Sequence, residues 1–140
     1  MEIEEKVIVV SAVVLRDEDD RILTVRKRGT DRFMLPGGKP EVGESPVETA
    51  VREVAEELNV RLTEDALGLL GVVRAAAANE AGFEVEGTTF VAPAPVVASK
   101  IAPAAEIEEI RWLNADADTL PSDLAPMLEE QVLPLLLSLR

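Results

Sequence analysis

The 140 residues contain no cysteine, no histidine and no tyrosine. The first absence excludes disulfides, thiolate metal sites and thiol nucleophiles. The second excludes an imidazole base, a serine–histidine relay and a histidine-ligated zinc. Aromatic residues are few, with one tryptophan and three phenylalanines. The titratable chemistry that remains belongs to carboxylates and lysines, beside arginines that stay charged. Any metal held by side chains must therefore be held mostly by oxygen, which favours magnesium, manganese or calcium. A membrane-spanning run is also missing, because the apolar stretch Val7–Leu15 is too short and rich in β-branched residues. It reads as a buried strand. The acidic start, Met1-Glu2-Ile3-Glu4-Glu5-Lys6, lacks the basic residues of a signal peptide, so a cytoplasmic protein is expected.

Positive charge is the other shortage. Lysine and arginine number 14 against 27 acidic residues, a net charge of −13. A field of that sign repels nucleic-acid polymers and anionic membranes. A small-molecule partner is expected instead, with the chain acting as a monomer or homodimer. The few basic residues are not spread evenly. Arg21, Arg26, Lys27, Arg28, Arg32 and Lys39 gather in one segment, opposed there by Asp31 alone. Such a patch is either a solvated strand and loop or the countercharge for a phosphorylated ligand.

The length predicts one domain over residues 1–140. Val7–Arg16 and Arg21–Arg28 read as strands, and the acidic turn Asp17-Glu18-Asp19-Asp20 between them predicts a hairpin. A loop, Gly29–Glu44, carries Pro36-Gly37-Gly38 and Pro40. Ser45, Pro46 and Glu48 then give an N-cap, a first-turn proline and a capping box for a helix running to Leu58. Leu67–Ala78 and Phe83–Val97 flank Asn79-Glu80-Ala81-Gly82 and predict a second hairpin, with Pro93 and Pro95 pushing the end of its second strand to a sheet edge. Glu106–Leu113 alternates as a further strand, and a last helix is expected from about Asp123, kinked or ended by Pro134. Strands on both sides of a central helix predict a mixed sheet between helical layers.

On the first helix Val47, Val51, Val54 and Leu58 form a core-facing stripe. Glu53, Glu56 and Glu57 fall together on nearly the opposite side, at the i, i+3 and i+4 spacings where like charges repel. A hard divalent cation would reverse the sign of that repulsion. In so acidic a chain such a face can equally be plain solvated surface, and its surroundings decide. Glycines lie at loop distance before it, where backbone can approach a ligand closely, and the basic segment lies just upstream.

The stretch Gly38–Val60 resembles the Nudix box, the signature of the Nudix hydrolases. Gly38 opens it, Glu44 follows after five residues, and Arg52-Glu53-Val54-Ala55-Glu56-Glu57-Leu58 after seven more, with Val60 closing it. Asn59 stands where the family has glycine. The matched positions coincide by chance at roughly one in ten million per starting point. A residue just past a helix end commonly adopts the left-handed conformation, which asparagine tolerates best after glycine, so the exchange is expected to be benign.

The resemblance implies an α/β fold, the Nudix-type α/β/α sandwich with a central mixed β-sheet. It implies a hydrolase acting on phosphoric anhydrides, cleaving a nucleoside diphosphate linked to another group, with Mg2+ (or Mn2+) as cofactor. Carried onto this chain, Glu53, Glu56 and Glu57 are the metal ligands, joined by a backbone carbonyl of Gly37 or Gly38. Glu53 is expected to take the proton from the attacking water, with Glu106 as its rival. Arg52 is expected to orient the carboxylates, and Glu44 to support the loop through backbone amides near the helix start. Arg26, Lys27 and Lys39 are candidate phosphate contacts, although strand alternation forbids Arg26 and Lys27 from both facing the site. Phe33 is a candidate base-stacking residue or a buried anchor. Diagnostic residues of several substrate groups are missing, with Ala75 where ADP-ribose-type members have proline. What remains is the MutT-like group, acting on nucleoside triphosphates to give a monophosphate and pyrophosphate. Leu124 stands about where some 8-oxoguanine-specific members place an asparagine, which points to a broad base preference. The alternatives are an ADP-ribose or nucleotide-sugar pyrophosphatase of the same family, or a nucleotide-sensing domain without catalysis.

Overall fold

A computed structural model describes residues 6–139. The acidic segment 1–5, read above against a targeting role, lies outside the described residues. Strand β1, Val7–Val14, is the axis of the fold. It pairs in parallel with β5, Glu84–Val91, along its whole length. On its other edge Ser11 and Ala12 pair antiparallel with the two-residue strand β3, Gly37–Gly38. Strand β4, Gly68–Ala76, pairs antiparallel with β5 and completes a mixed sheet of order β3-β1-β5-β4. A second sheet joins β2, Ile22–Lys27, to β6, Ile107–Leu113, antiparallel.

Two helical layers cover these sheets. Helix α1, Pro46–Leu58, buries Ala50, Val54 and Leu58 against Val13 of β1, Leu15 just beyond it, and Leu23 and Val25 of β2. On the opposite side Leu128, Val132 and Leu133 pack on Ala12, Val14, Phe33 and Leu124. Alternate residues of β1 thus enter two different cores, as a strand between two helical layers requires. Each fully buried valine or leucine contributes about 1.5–3 kcal/mol. The result is the α/β/α sandwich with a mixed sheet expected from the sequence.

Helix α1 forms as its sequence dictates. The Ser45 hydroxyl accepts from the Glu48 N–H, the Glu48 carboxylate accepts from the Ser45 N–H at 2.9 Å, and Pro46 fills the first position. Asn59 ends it in the left-handed conformation, at φ 57° and ψ 33°.

Four local expectations need correction. The Asp17–Asp20 turn is tight, but β1 and β2 do not form a hairpin ladder; next to the turn Arg16 and Ile22 form an isolated bridge. Both edges of β1 are already taken, by β3 and β5, so β2 turns away to β6. Gly37–Gly38, expected to be loop, is a strand. Strand β5 lies inside its sheet, paired with β1 on one edge and β4 on the other, and it can do so because it ends at Val91 and leaves Pro93 and Pro95 beyond the ladder. The last helical segment starts at Met127, not near Asp123, since Phe33 exchanges backbone bonds with Asp123 and Ala125 and holds Leu124 between them in a parallel bridge. It winds as a π-helix over Met127–Val132 and continues as α2, Leu133–Ser138, without ending at Pro134. Proline there removes a donor and crowds the carbonyl four residues back, and the wide turns before it absorb both effects.

Candidate active site

Strand β3 is wedged between β1 and α1, with Gly37 too close to β1 and Gly38 too close to Glu53 of α1 for a side chain at either position. A Cβ at Gly37 would lie 2.0 Å from the Ser11 carbonyl oxygen, and one at Gly38 would lie 2.5 Å from the carboxyl carbon of Glu53. This approach buries part of what the helical wheel places outside. Glu57 is 1% exposed, so the expectation of three glutamates on one solvent-facing side is corrected for it. Its Oε1 accepts the Gly37 N–H at 3.1 Å, while Oε2 has no hydrogen-bond partner. Glu53 is mostly covered, and Glu56 is half exposed.

Arg52 organises the outer part of this face. Its guanidinium grips both oxygens of Glu44, at 2.6 and 2.9 Å, and reaches Glu53 at 2.9 Å and Glu56 at 3.2 Å. It also donates to the Lys39 carbonyl. The hydrogen bonds from Arg52, with those from the Glu41 amide and the Thr49 hydroxyl, hold the Glu44 carboxyl down at about 2. Glu44 therefore supports the loop mainly through Arg52, with one backbone amide, that of Glu41, rather than through amides of the helix start.

Lys27 closes the inner part. A register irregularity between Arg26 and Lys27 at the end of β2 re-aims the chain, as bulges do. Its ammonium stands 3.1 Å from Glu106 Oε1, 3.6 Å from Glu57 Oε2 and 3.5 Å from the Gly37 carbonyl oxygen. Burial pushes the Glu57 carboxyl up to about 7, although the Lys27 charge and the Gly37 amide pull the other way. Burial also works against the Lys27 ammonium, but the facing carboxylates of Glu57 and Glu106 hold its pKa above the ordinary lysine value.

Among the described residues no three carboxylates converge closely enough, as they stand, to hold a metal ion. Arg52 and Lys27 take the oxygens instead. The donor set nevertheless suits a hard divalent cation, since it consists of carboxylate and carbonyl oxygens and includes the buried Glu57 Oε2, which makes no hydrogen bond. Beside it opens a cleft of about 250 Å³, lined by Lys27, Gly37 and Gly38 on one wall and by Ser11, Asn79 and Met127 among others beyond.

The structure brings Gly37, Gly38, Glu44, Arg52, Glu53, Glu56, Glu57, Lys27 and Glu106 together. Lys39 is exposed beside them and gives its carbonyl to Arg52. Arg26 is not part of the group. Alternation turns it away, to Glu109 at 3.1 Å and the Thr30 carbonyl at 2.8 Å. Phe33 is corrected as a stacking residue for a base: it is 3% exposed in the core, with the Arg111 guanidinium 3.8 Å from its ring centre. Leu124 is buried in that same core and does not line the cleft. Ser11, Asn79 and Met127 carry no signal in the linear sequence, because only the sheet order and the last helix bring them to the cleft.

A NUDIX domain family model matches residues 6–133. A MutT-like protein of Streptomyces ambofaciens is 41% identical over 58 residues, which cover 41% of this chain and 37% of that protein. A putative 8-oxo-dGTP diphosphatase of Bacillus subtilis (strain 168) is 42% identical over 45 residues, covering 32% of this chain and 30% of that protein. The matched stretch thus spans about a third of the length of each curated relative. The crystal structure of a MutT NUDIX hydrolase from Burkholderia pseudomallei superposes with a TM-score of 0.71 at 24% identity, over 93% of this chain and 98% of that one, and shares the fold.

Proposed function

This chain belongs to the NUDIX domain family, and from that premise we propose that residues 1–140 form one Nudix pyrophosphohydrolase domain acting on nucleoside triphosphates. The observation that carries the proposal is the Glu57 carboxylate. A fold rarely buries such a group with an oxygen that makes no hydrogen bond, yet here Glu57 Oε2 has none, while Oε1 is held by the amide of Gly37, which itself lines the cleft. Glu53, Glu56 and Glu57, with the carbonyl of Gly37 or Gly38, are the residues that would hold a divalent cation, Mg2+ or Mn2+. Such an ion, when bound, neutralises charge that develops on phosphate oxygens during hydrolysis.

The chain's own residues do the rest. Lys27 and Lys39 supply countercharge to the polyphosphate from the cleft wall and from the exposed loop. Glu53, placed against Gly38 by the close approach of β3 and the helix, accepts the proton of the attacking water; Glu106, just before β6, is the alternative base. Arg52 holds Glu53 and Glu56 in position. Water adds to a phosphorus atom, the bond from that phosphorus to the bridging oxygen breaks, and the products are a nucleoside monophosphate and pyrophosphate. The triphosphate assignment, canonical or oxidised, is supported by the names of the two partial relatives and by the missing diagnostic residues of the other substrate groups. The cleft bears no Leu124 side chain, so base selection would fall to the residues that do line it.

Incubation with dGTP, 8-oxo-dGTP, dCTP and ADP-ribose, with products identified by chromatography, tests the substrate class. Cleavage of ADP-ribose much faster than every triphosphate overturns it. Glu57→Gln is expected to lower turnover by orders of magnitude with the fold intact, and excess chelator to abolish it. Full activity in chelator refutes the metal assignment.

A further inference from the structure

Lys27 is placed where a cation would be useful, and its contacts are poor for a permanent ion pair. Only the 3.1 Å approach to Glu106 lies within good hydrogen-bonding range; the separations from Glu57 Oε2 and the Gly37 carbonyl, 3.6 and 3.5 Å, are loose. Glu57 Oε2 is buried and has no hydrogen bond of its own. Three oxygens of hard-donor chemistry, two of them among the groups assigned above to a divalent cation, thus face one ammonium.

We propose that Lys27 is a tethered placeholder: its ammonium balances the Glu57, Glu106 and Gly37 oxygens while no divalent cation is bound, and leaves them when one arrives. This rests on the reading of the site as a metal centre. An ammonium and a divalent cation cannot share the same oxygens without strong repulsion at such short range. The lysine has somewhere to go. Its side chain already lines the 250 Å³ cleft, and its flexible four-carbon stem can carry the charge from the carboxylates towards a polyphosphate there. The same residue would thereby connect metal entry with substrate affinity. Burial explains why a placeholder is useful: an ionised Glu57 without a cation nearby would be an uncompensated charge in the interior.

The test reads metal binding without turnover. Mn2+ uptake by the nucleotide-free protein is measured by electron paramagnetic resonance for wild type, Lys27→Met, Lys27→Arg and Glu57→Gln, with folding checked by circular dichroism. Folded Lys27→Met is expected to bind Mn2+ several-fold more tightly than wild type, because the competing charge is gone. Lys27→Arg is expected to stay close to wild type, and Glu57→Gln to lose the site. Tripolyphosphate is expected to bind the Mn2+-loaded Lys27→Met protein more weakly than loaded wild type. In parallel, the Lys27 side-chain Cε resonance of wild type, assigned by carbon-13 labelling, is expected to shift on Mg2+ addition, a readout that does not depend on any variant folding. Equal or weaker Mn2+ binding by Lys27→Met, or an unmoved Lys27 resonance at saturating Mg2+, overturns the proposal and leaves the metal centre standing. Wild-type protein that takes up no Mn2+ overturns both.

Discussion

Asp17 gathers three donors in one turn: the amides of Asp19 and Arg21 on Oδ1, at 2.9 and 2.8 Å, and Arg21 Nε on Oδ2 at 2.8 Å. Burial works to raise its pKa, but these bonds outweigh it and hold the carboxyl below the usual range. A depressed carboxyl stabilises the fold above its unfolded pKa, and that contribution disappears as pH falls through the folded value. Asp17→Asn is therefore expected to cost most stability near neutrality, and the gap in urea midpoint from wild type to narrow below about pH 4. A gap that widens in acid contradicts this. At Arg52 the two-pronged grip on Glu44 leaves a nitrogen for Glu53 and Glu56, a geometry that the single ammonium of lysine does not reproduce. Arg52→Lys is expected to lower kcat by about a hundredfold, as misplaced catalytic groups do, with a smaller effect on KM. Equal kcat for the two proteins would show that Arg52 orients nothing.

Helix α1 was legible in advance because its signals are local. Ser45, Pro46, Glu48 and Asn59 each act within one turn of the helix ends, and all of them make the bonds or adopt the dihedrals their chemistry favours. The left-handed Asn59 gives a direct test. Asn59→Gly is expected to be neutral or slightly stabilising, whereas Asn59→Val is expected to lose about 1 kcal/mol, read from the thermal midpoint. What the sequence does not disclose is what other elements bring to this helix. Glu57 sits on the side that helical periodicity assigns to solvent, and what covers it is distant in sequence, from the Gly37 amide twenty residues earlier to Lys27 and Ala104. The Asp17–Asp20 turn has the same lesson. Its residues specify a reversal of the chain, while the partners of the strands it joins are set by β3, β5 and β6, far away in sequence.

Over the molecule as a whole, the charge of −13 opposes an anionic substrate at long range, and the cationic groups at the cleft act only nearby. Monovalent salt screens the first more than the second, since the Debye length is about 10 Å at 0.1 M. Raising ionic strength from about 10 to 100 mM at saturating Mg2+ is thus expected to raise kcat/KM; a monotonic fall means that local attraction dominates. The division into two sheets has a mechanical consequence. Lys27 and Glu106 ride on the β2–β6 leaf or at its edge, whereas Gly37 belongs to the four-stranded leaf and Glu57 is tied to it through the Gly37 amide. The backbone contacts across the divide include point bridges, Arg16 with Ile22 and Met34 with Val25. The site therefore straddles a seam, like a clasp between the boards of a book, and a slight parting of the boards widens the gap between lysine and glutamate while every ladder stays zipped.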